Sequence, residues 1–239
     1  MENLPLDVYV FDTVEYRRAL DLQLSLMEKR RKEEIPDTLL LLEHPPVITL
    51  GKRGTDGDIL LDESKLLEMG VDVVNIERGG QVTYHGPGQI VGYFICNLYE
   101  HQRKVKRFVG NIENSIIAFL DSEWGIKAHT DPGNVGVWTD AGGKSEKIAA
   151  IGISIKNGIT MHGFALNIAP DLSHFGWIVP CGITDKGVTS VEKIRGGSSD
   201  RFSKEEIKIQ KNRISEVVKD IFGYGCMRIQ DGSRLAAAG

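Results

Sequence analysis

Few side chains in this chain are placed to do covalent chemistry, and their neighbours say what that chemistry would be. Cys181 stands in Pro180-Cys181-Gly182-Ile183-Thr184, between a proline and a glycine, and so in a turn rather than on a strand or helix face. A thiol in such a place is a nucleophile once a positive neighbour raises its thiolate fraction, and inert if it is simply buried. Local sequence leaves both readings of Cys181 open. Cys96, inside the apolar run Tyr93–Leu98, and Cys226, near the C-terminus, read as inert. Lys147 heads Lys147-Ile148-Ala149-Ala150-Ile151-Gly152-Ile153, a strand whose small side chains leave room beside a sheet. It reads either as a group working in that room or as a strand-end lysine in solvent, with Lys144 in a glycine-rich loop as the rival position.

A third candidate is Arg78-Gly79-Gly80-Gln81-Val82-Thr83-Tyr84-His85-Gly86-Pro87-Gly88-Gln89. Four glycines and a proline lie among polar residues between two apolar strands. Glycine lets backbone approach a ligand closely, so the stretch reads as a binding loop or, more simply, as a wide hairpin connection. Arg78 would be a surface charge, or would face a carbonyl or an acidic group.

Other motifs fail. Gly143-Lys144-Ser145 resembles the end of a phosphate-binding loop, but Trp138 stands where the first glycine is needed. Gly86-Pro87-Gly88 starts like a dinucleotide fingerprint, but Val91 holds the third position and no helix follows. The six histidines show no ligand spacing, and no metal is expected, although His85, His162 and Cys181 could meet in space as a metal site.

These residues need a scaffold. The chain has 239 residues, 41% of them hydrophobic and 26% charged, with a formal net charge of −4. That is a globular composition, and the acidic balance disfavours a nucleic-acid role. Three widely spaced cysteines without a C-x-x-C point to a reducing cytosol. The N-terminus lacks a signal peptide's pattern and no apolar run reaches membrane length, so a cytoplasmic protein is expected.

Asp12 with Glu15 suggests a capping box for a helix carrying Tyr16, Leu20, Leu24 and Met27. Thr38–Leu42, Val47–Leu50, Val71–Ile76, Ile90–Leu98 and Val135–Trp138 read as strands. Lys147–Lys156 and Ile159–Ile168 flank Asn157-Gly158, a two-residue hairpin signal. Asp62–Met69, Val105–Trp124 and Lys204–Phe222 read as helices, and Asp171–Trp177 as one or two turns. Strands and helices mix without a βαβ repeat, which predicts an α+β fold with a mixed or antiparallel sheet. One domain is expected over residues 7–222, with 232–239 a disordered tail or cloning scar.

Arg78–Gln89, Lys147–Gly152, His162-Gly163-Phe164-Ala165-Leu166 with Asn167, and Pro180–Thr184 followed by Gly187-Val188-Thr189-Ser190 together resemble the signatures of the lipoyl(octanoyl) transferases, in that family's order. The resemblance covers roughly Asp7 to Phe222. It implies a single domain like the catalytic domain of biotin- and lipoate-protein ligases, with a mixed sheet flanked by helices. It implies transfer of an octanoyl group from octanoyl-acyl carrier protein to a lysine of a lipoyl domain. The acceptors would be E2 subunits of 2-oxoacid dehydrogenases and the glycine-cleavage H protein, with no cofactor, nucleic acid or membrane involved. By the same resemblance Cys181 is the acyl-thioester nucleophile and Lys147 the lysine that lowers its pKa. Arg78, Gly79, Gly80, Gln81, Val82, Thr83, Tyr84 and His85, with Ala150, Ile151 and Gly152 and with Gly163, Phe164 and Ala165, are the acyl-binding segments. Backbone N–H groups near Gly79-Gly80 or in Ala150–Gly152 would hold the oxyanion.

Two other readings compete. An ATP-dependent lipoate- or biotin-protein ligase on the same fold needs no nucleophilic cysteine, and a non-catalytic acyl-binding protein would leave Cys181 idle. For an acidic carrier, the basic stretch His101-Gln102-Arg103-Lys104-Val105-Lys106-Arg107 is a candidate docking patch, or else a solvated helix start.

Overall fold

In the computed structural model, residues 4–102, 104–141, 143–179, 186–197 and 202–236 are described. In chain order the elements are β1 (Pro5–Thr13), α1 (Tyr16–Arg31), β2 (Asp37–Glu43), β3 (Val47–Leu50), α2 (Glu63–Glu68), β4 (Asp72–Asn75), β5 (Val82–His85) and β6 (Gln89–Ile95). There follow α3 (Val105–Trp124), β7 (His129–Asp131), β8 (Asn134–Thr139), β9 (Glu146–Lys156), β10 (Ile159–Asn167), β11 (Gly187–Val188), α4 (Val191–Ile194), α5 (Lys204–Phe222), β12 (Cys226–Asp231) and α6 (Ser233–Ala236).

Among the described residues, nine strands form a mixed sheet in the order β12-β1-β2-β6-β10-β9-β8-β7, with β11 added alongside β9. The pairs β12–β1, β1–β2 and β11–β9 are parallel and the rest antiparallel. A second sheet, β4-β3-β5, stands apart. The hairpin between β9 and β10 turns at Asn157 and Gly158, both at positive φ (52° and 82°), as Asn-Gly favours.

Period-two alternation divides the large sheet between two cores. Leu39, Leu41 and Phe94 face α3 and α5, while Leu40, Leu42 and Tyr93 face α1. The helix α3 ends at Gly125 in the left-handed region, and α5 opens with a capping box between Ser203 and Glu206.

Three features differ from the sequence reading. Glu15 alone caps α1, accepting from the Arg17 and Arg18 N–H groups at 2.8 Å, because Asp12 is still in β1. Val82–His85 is a strand paired with β3, so Arg78–Gln89 is not one loop. The large sheet also continues past residue 222: β12 pairs with β1 from Pro5↔Cys226 to Val10↔Asp231. Beyond it the Gly232 N–H donates to the Val10 carbonyl at 2.8 Å and Leu235 packs against the α1-side core, so 232–236 are ordered here. Residues 237–239 lie outside the described residues.

A buried ionic knot closes the start of β2. Asp37 takes the Arg30 Nε–H at 2.9 Å, the Asn97 N–H at 2.9 Å and the Tyr224 hydroxyl at 2.9 Å, and meets His101 Nε2 at 2.6 Å. Arg30 also pairs with Glu100 at 2.5 Å. Burial alone would raise the Asp37 carboxyl, but His101, Asn97 and Arg30 outweigh it and hold it below the usual carboxylate value. Asp37, Cys96 and His101 are close enough together to hold a metal, yet Asp37's two oxygens are already engaged by these groups.

Candidate active site

The α1 side of the sheet carries a narrow cleft, about 560 Å³ when the solvent-filled mouth is counted in. Its floor is made of two rungs without bulk, Ala150 opposite Ala165 and Gly152 opposite Gly163, and Tyr93 on β6 lies beside Gly163. Its roof is the Arg78-Gly79-Gly80 turn with Val82, Thr83 and His85 of β5. Roof and floor touch where the Gly79 N–H donates to the Ile153 carbonyl at 3.1 Å. A Cβ on Gly152 would stand 2.8 Å from the Gly79 carbonyl oxygen, so only glycine fits that contact. The Gly79 N–H is thereby engaged and unavailable to an oxyanion, contrary to the expectation for Gly79.

Arg78 is buried and faces carbonyls. Its Nη2 donates to the Thr49 carbonyl and Oγ1, each at 2.9 Å, and its Nη1 to the Gly79 carbonyl at 3.0 Å. The guanidinium therefore braces the roof on β3.

Of the expected segments, Arg78, Gly79, Gly80, Val82, Thr83, His85, Lys147, Ala150–Gly152 and Gly163–Ala165 all line the cleft. Gln81 and Tyr84 do not. Tyr84 points to the other side of β5, where its hydroxyl meets His174 Nδ1 at 2.7 Å among Phe175 and Trp177. Alternation along a strand separates it from Thr83 and His85.

Lys147 reaches the cleft through an irregularity in β9. Val137 pairs with Ala149, but the next residue of β8, Trp138, pairs with Lys147, so Ile148 is an extra residue. Ile148 and Ala149 both enter the α3-side core, and Lys147 turns to the opposite face. Its ammonium lies 4.7 Å from the Trp138 ring centre and 3.3 Å from the Val135 carbonyl. Gly136, at φ 137°, makes room for its stem: a Cβ there would be 3.3 Å from the Lys147 Cε. The rival Lys144 is exposed.

Cys181, with residues 180–185, lies outside the described residues, and so does the metal alternative that joined it to His85 and His162. The chain returns beside Lys147 directly afterwards. Lys186 pairs with Asp131 and lies 4.8 Å from the Trp138 ring, Val188 pairs with Lys147, and the Thr189 N–H donates to the Lys147 carbonyl at 3.0 Å.

The far end holds a polar group that the sequence reading missed. His44 joins the Tyr93 hydroxyl through Nε2 and the Val14 carbonyl through Nδ1, each at 2.7 Å. The Tyr16 ring lies 5.0 Å from His44 and 6.1 Å from His85. Burial lowers His44 and His162 to about 4 and His85 well below its ordinary value, with the Arg78 charge adding for His85 and His162. Burial also raises Tyr16 to about 12. These groups are therefore neutral at pH 7. His85 Nδ1 meets Gln89 Oε1 at 3.2 Å, while Gln89 Nε2 donates to the Tyr84 carbonyl and to Asn167 Oδ1. That pattern makes His85 Nδ1 the protonated nitrogen.

Elsewhere, Cys96 is fully buried, its thiol pushed up by burial, and Cys226 is exposed. Of the basic stretch at 101–107, Arg103 lies outside the described residues, and the rest does not border the cleft: His101 is in the ionic knot and α3 packs on the other face of the sheet.

Residues 15–212 match the lipoyl protein ligase A/B catalytic domain. The chain belongs to that family. Within it, the sequence is 49% identical over 191 residues to the octanoyltransferase of Alkaliphilus metalliredigens, covering 80% of this chain and 86% of that protein. It is 53% identical over 194 residues to the octanoyltransferase of Caldicellulosiruptor saccharolyticus, covering 81% of each. It is 45% identical over 191 residues to a mitochondrial octanoyltransferase of Arabidopsis thaliana, covering 79% of this chain and 78% of that one. In fold it is similar to P. falciparum LipL1 in complex with lipoate, with TM-score 0.70 and 15% identity over 98% of this chain and 68% of that one. A bi-partite lipoate protein ligase from Thermoplasma acidophilum gives TM-score 0.62 and 15% identity over 98% of this chain and 91% of that one. The fold is thus shared with ligases, while the sequence relation is to octanoyltransferases.

Proposed function

We propose that the protein is an acyltransferase that carries an octanoyl group from a thioester donor to a lysine of a lipoyl domain by way of Cys181. One observation carries the reading: relatives 45–53% identical are octanoyltransferases, and the segments expected to bind the acyl chain meet in one cleft that ends at Lys147. The donor is octanoyl-acyl carrier protein. The acceptors are E2 subunits of 2-oxoacid dehydrogenases and the glycine-cleavage H protein.

Cys181 and Lys147 act as a thiolate–ammonium pair. The thiolate attacks the donor carbonyl and forms a new C–S bond. The tetrahedral oxyanion collapses and expels the carrier's thiolate, which takes a proton from Lys147. Loss of the Cys181 charge removes what favoured the ammonium, so this proton leaves readily. The neutral amine of the acceptor lysine then attacks the octanoyl-Cys181 thioester. Collapse forms the amide and releases the Cys181 thiolate, and Lys147 takes the proton shed by the attacking nitrogen. The pair is restored and no nucleotide is consumed, because a thioester is exchanged for a more stable amide. The apolar floor holds the chain: at about 0.8 kcal/mol per buried CH₂, six methylenes offer roughly 5 kcal/mol.

Incubation with octanoyl-acyl carrier protein without ATP should add one octanoyl group to the intact mass, on the peptide containing Cys181, and a lipoyl domain should then remove it. No acyl-enzyme, together with an absolute need for ATP, would make the protein a ligase instead.

A further inference from the structure

His162 is bent out of its strand. It stands in β10 opposite Ile153, yet its φ is +61°, a left-handed value that costs a non-glycine residue about 1 kcal/mol or more. Its N–H donates to the Oε1 of the buried Gln23 on α1, at 2.9 Å. Regular alternation would send its side chain to the α3 side, opposite to Gly163. The ring lies in the cleft instead, 3% exposed, with its centre 6.0 Å from that of Tyr93, and its Nδ1 is buried without a hydrogen-bond partner among the described residues. Strain held in place by a buried amide, with a polar atom aimed into a cleft, points to a ligand-facing role.

The ladder says where along the ligand this lies. Lys147 marks one end of the floor and Ile153, the rung of His162, the other, about 17 Å of strand apart with the bulge discounted. The two small-residue rungs fall between them. His162 stands one rung past them, and Tyr93, beside Gly163, with Tyr16 and His85 also lines the cleft, all polar-tipped. An apolar chain pushed further would meet the His162 ring and would also strip water from these tips, a cost that grows with every group left unpaired.

We infer that His162 closes the far end of the acyl cleft and sets the longest chain the protein accepts. This rests on the reading of the Lys147 end as the reacting end. The stop is made by an imidazole turned out of its strand's alternation, so it can be removed without touching the floor or the roof.

The test compares rates of acyl-enzyme formation, read by intact mass, with small-thiol thioesters of six, eight, ten and twelve carbons. The unaltered protein should favour eight carbons over ten and twelve. His162→Gly accepts the same φ without strain and deletes the ring. It should raise the ten-to-eight and twelve-to-eight rate ratios about ten-fold, the scale of two further buried methylenes. If circular dichroism shows that variant unfolded, His162→Asn, which tolerates positive φ and is shorter, should raise the ten-to-eight ratio by a smaller factor. Unchanged ratios in a folded variant overturn the inference. Failure of the unaltered protein to take octanoyl at all would strike the proposed function instead.

Discussion

Two buried polar clusters flank the same sheet, and they are built oppositely. The knot around Asp37 gathers Arg30, Glu100, His101, Tyr224 and the Asn97 N–H, so that the carboxylate has a partner on every side. The cluster at the end of the cleft gathers Tyr16, His44, His85, Tyr93 and His162, is neutral, and leaves His162 Nδ1 unsatisfied among the described residues. A satisfied network holds a fold together, whereas an unfinished one borders a cavity. Of the cysteines, Cys96 sits on the knot's side, against Tyr224 at 3.6 Å with its thiol pushed up; Cys181 lies outside the described residues, and after it the chain resumes with Val188 paired to Lys147.

The sharpest way to break this contrast is to exchange the cysteines' fates. Cys181→Ala should lower octanoyl transfer by about 10³-fold or more and abolish the acyl-enzyme, while Cys96→Ala and Cys226→Ala keep both. Octanoyl found on the Cys96 or Cys226 peptide, with Cys181 unmodified, would refute the assignment.

The knot should show itself in stability. Asp37→Asn leaves Arg30 short of its buried partner and should cost about 3–5 kcal/mol in urea unfolding. The ten-to-eight chain-length ratio should stay where it was, since Asp37 does not line the cleft. A shift in that ratio would show that the two clusters are coupled.

Acid should separate the clusters by pH. His44 and His162 have folded values near 4 against an ordinary 6.5, so between those values the unfolded chain binds more protons and stability falls with falling pH. Each histidine contributes about 3 kcal/mol to that loss, counted from its shift. Asp37, depressed rather than raised, keeps its contribution through this window and loses it only as pH falls through its lowered value. Urea midpoints measured from pH 7 to 4 should therefore slope in the unaltered protein and flatten partly in His162→Asn. Parallel curves would mean that His162 does not titrate with folding.

The smallest effect concerns the cleft's near end. Lys147→Ala should raise the pH at which Cys181 is alkylated by about one to two pH units, in a protein with Cys96 and Cys226 replaced. Lys147→Arg should keep more thiol reactivity than transfer, because guanidinium does not give up its proton. A shifted profile in Lys144→Ala, with none in Lys147→Ala, would show that the exposed lysine is the one that matters.

Much of this was legible before the structure. Asn157-Gly158 marks a turn whichever sheet it joins, and Phe108, Ile112, Ile116 and Phe119 recur at helical spacing whatever they pack on. The cleft segments are legible because glycine and alanine at strand positions signal close approach. What escaped depends on partners distant in the chain. β12 is mostly exposed and carries no alternation, and becomes a strand only because β1 is there to pair with it. The inward turn of His162 is imposed by Gln23, 139 residues away. Tyr84 was assigned to the cleft with its neighbours because a motif carries no face, whereas a strand does.

The irregularity at Ile148 makes the working face of Lys147 a question of parity. Nothing in the lysine itself chooses between the two sides of the sheet; the bulge between it and Ala150 does. Deleting Ile148 would restore plain alternation, with Ala149 alone between Lys147 and Ala150, and keep the ammonium on the cleft face; straightening the strand with Ile148 retained is what would turn it toward the α3-side core. Substituting Ile148 by another apolar residue would leave the bulge, and so the side, as it is. In this strand the change that moves the charge is loss of the bulge with all its residues kept, and a comparison of relatives that counts only gaps and substitutions would not show it.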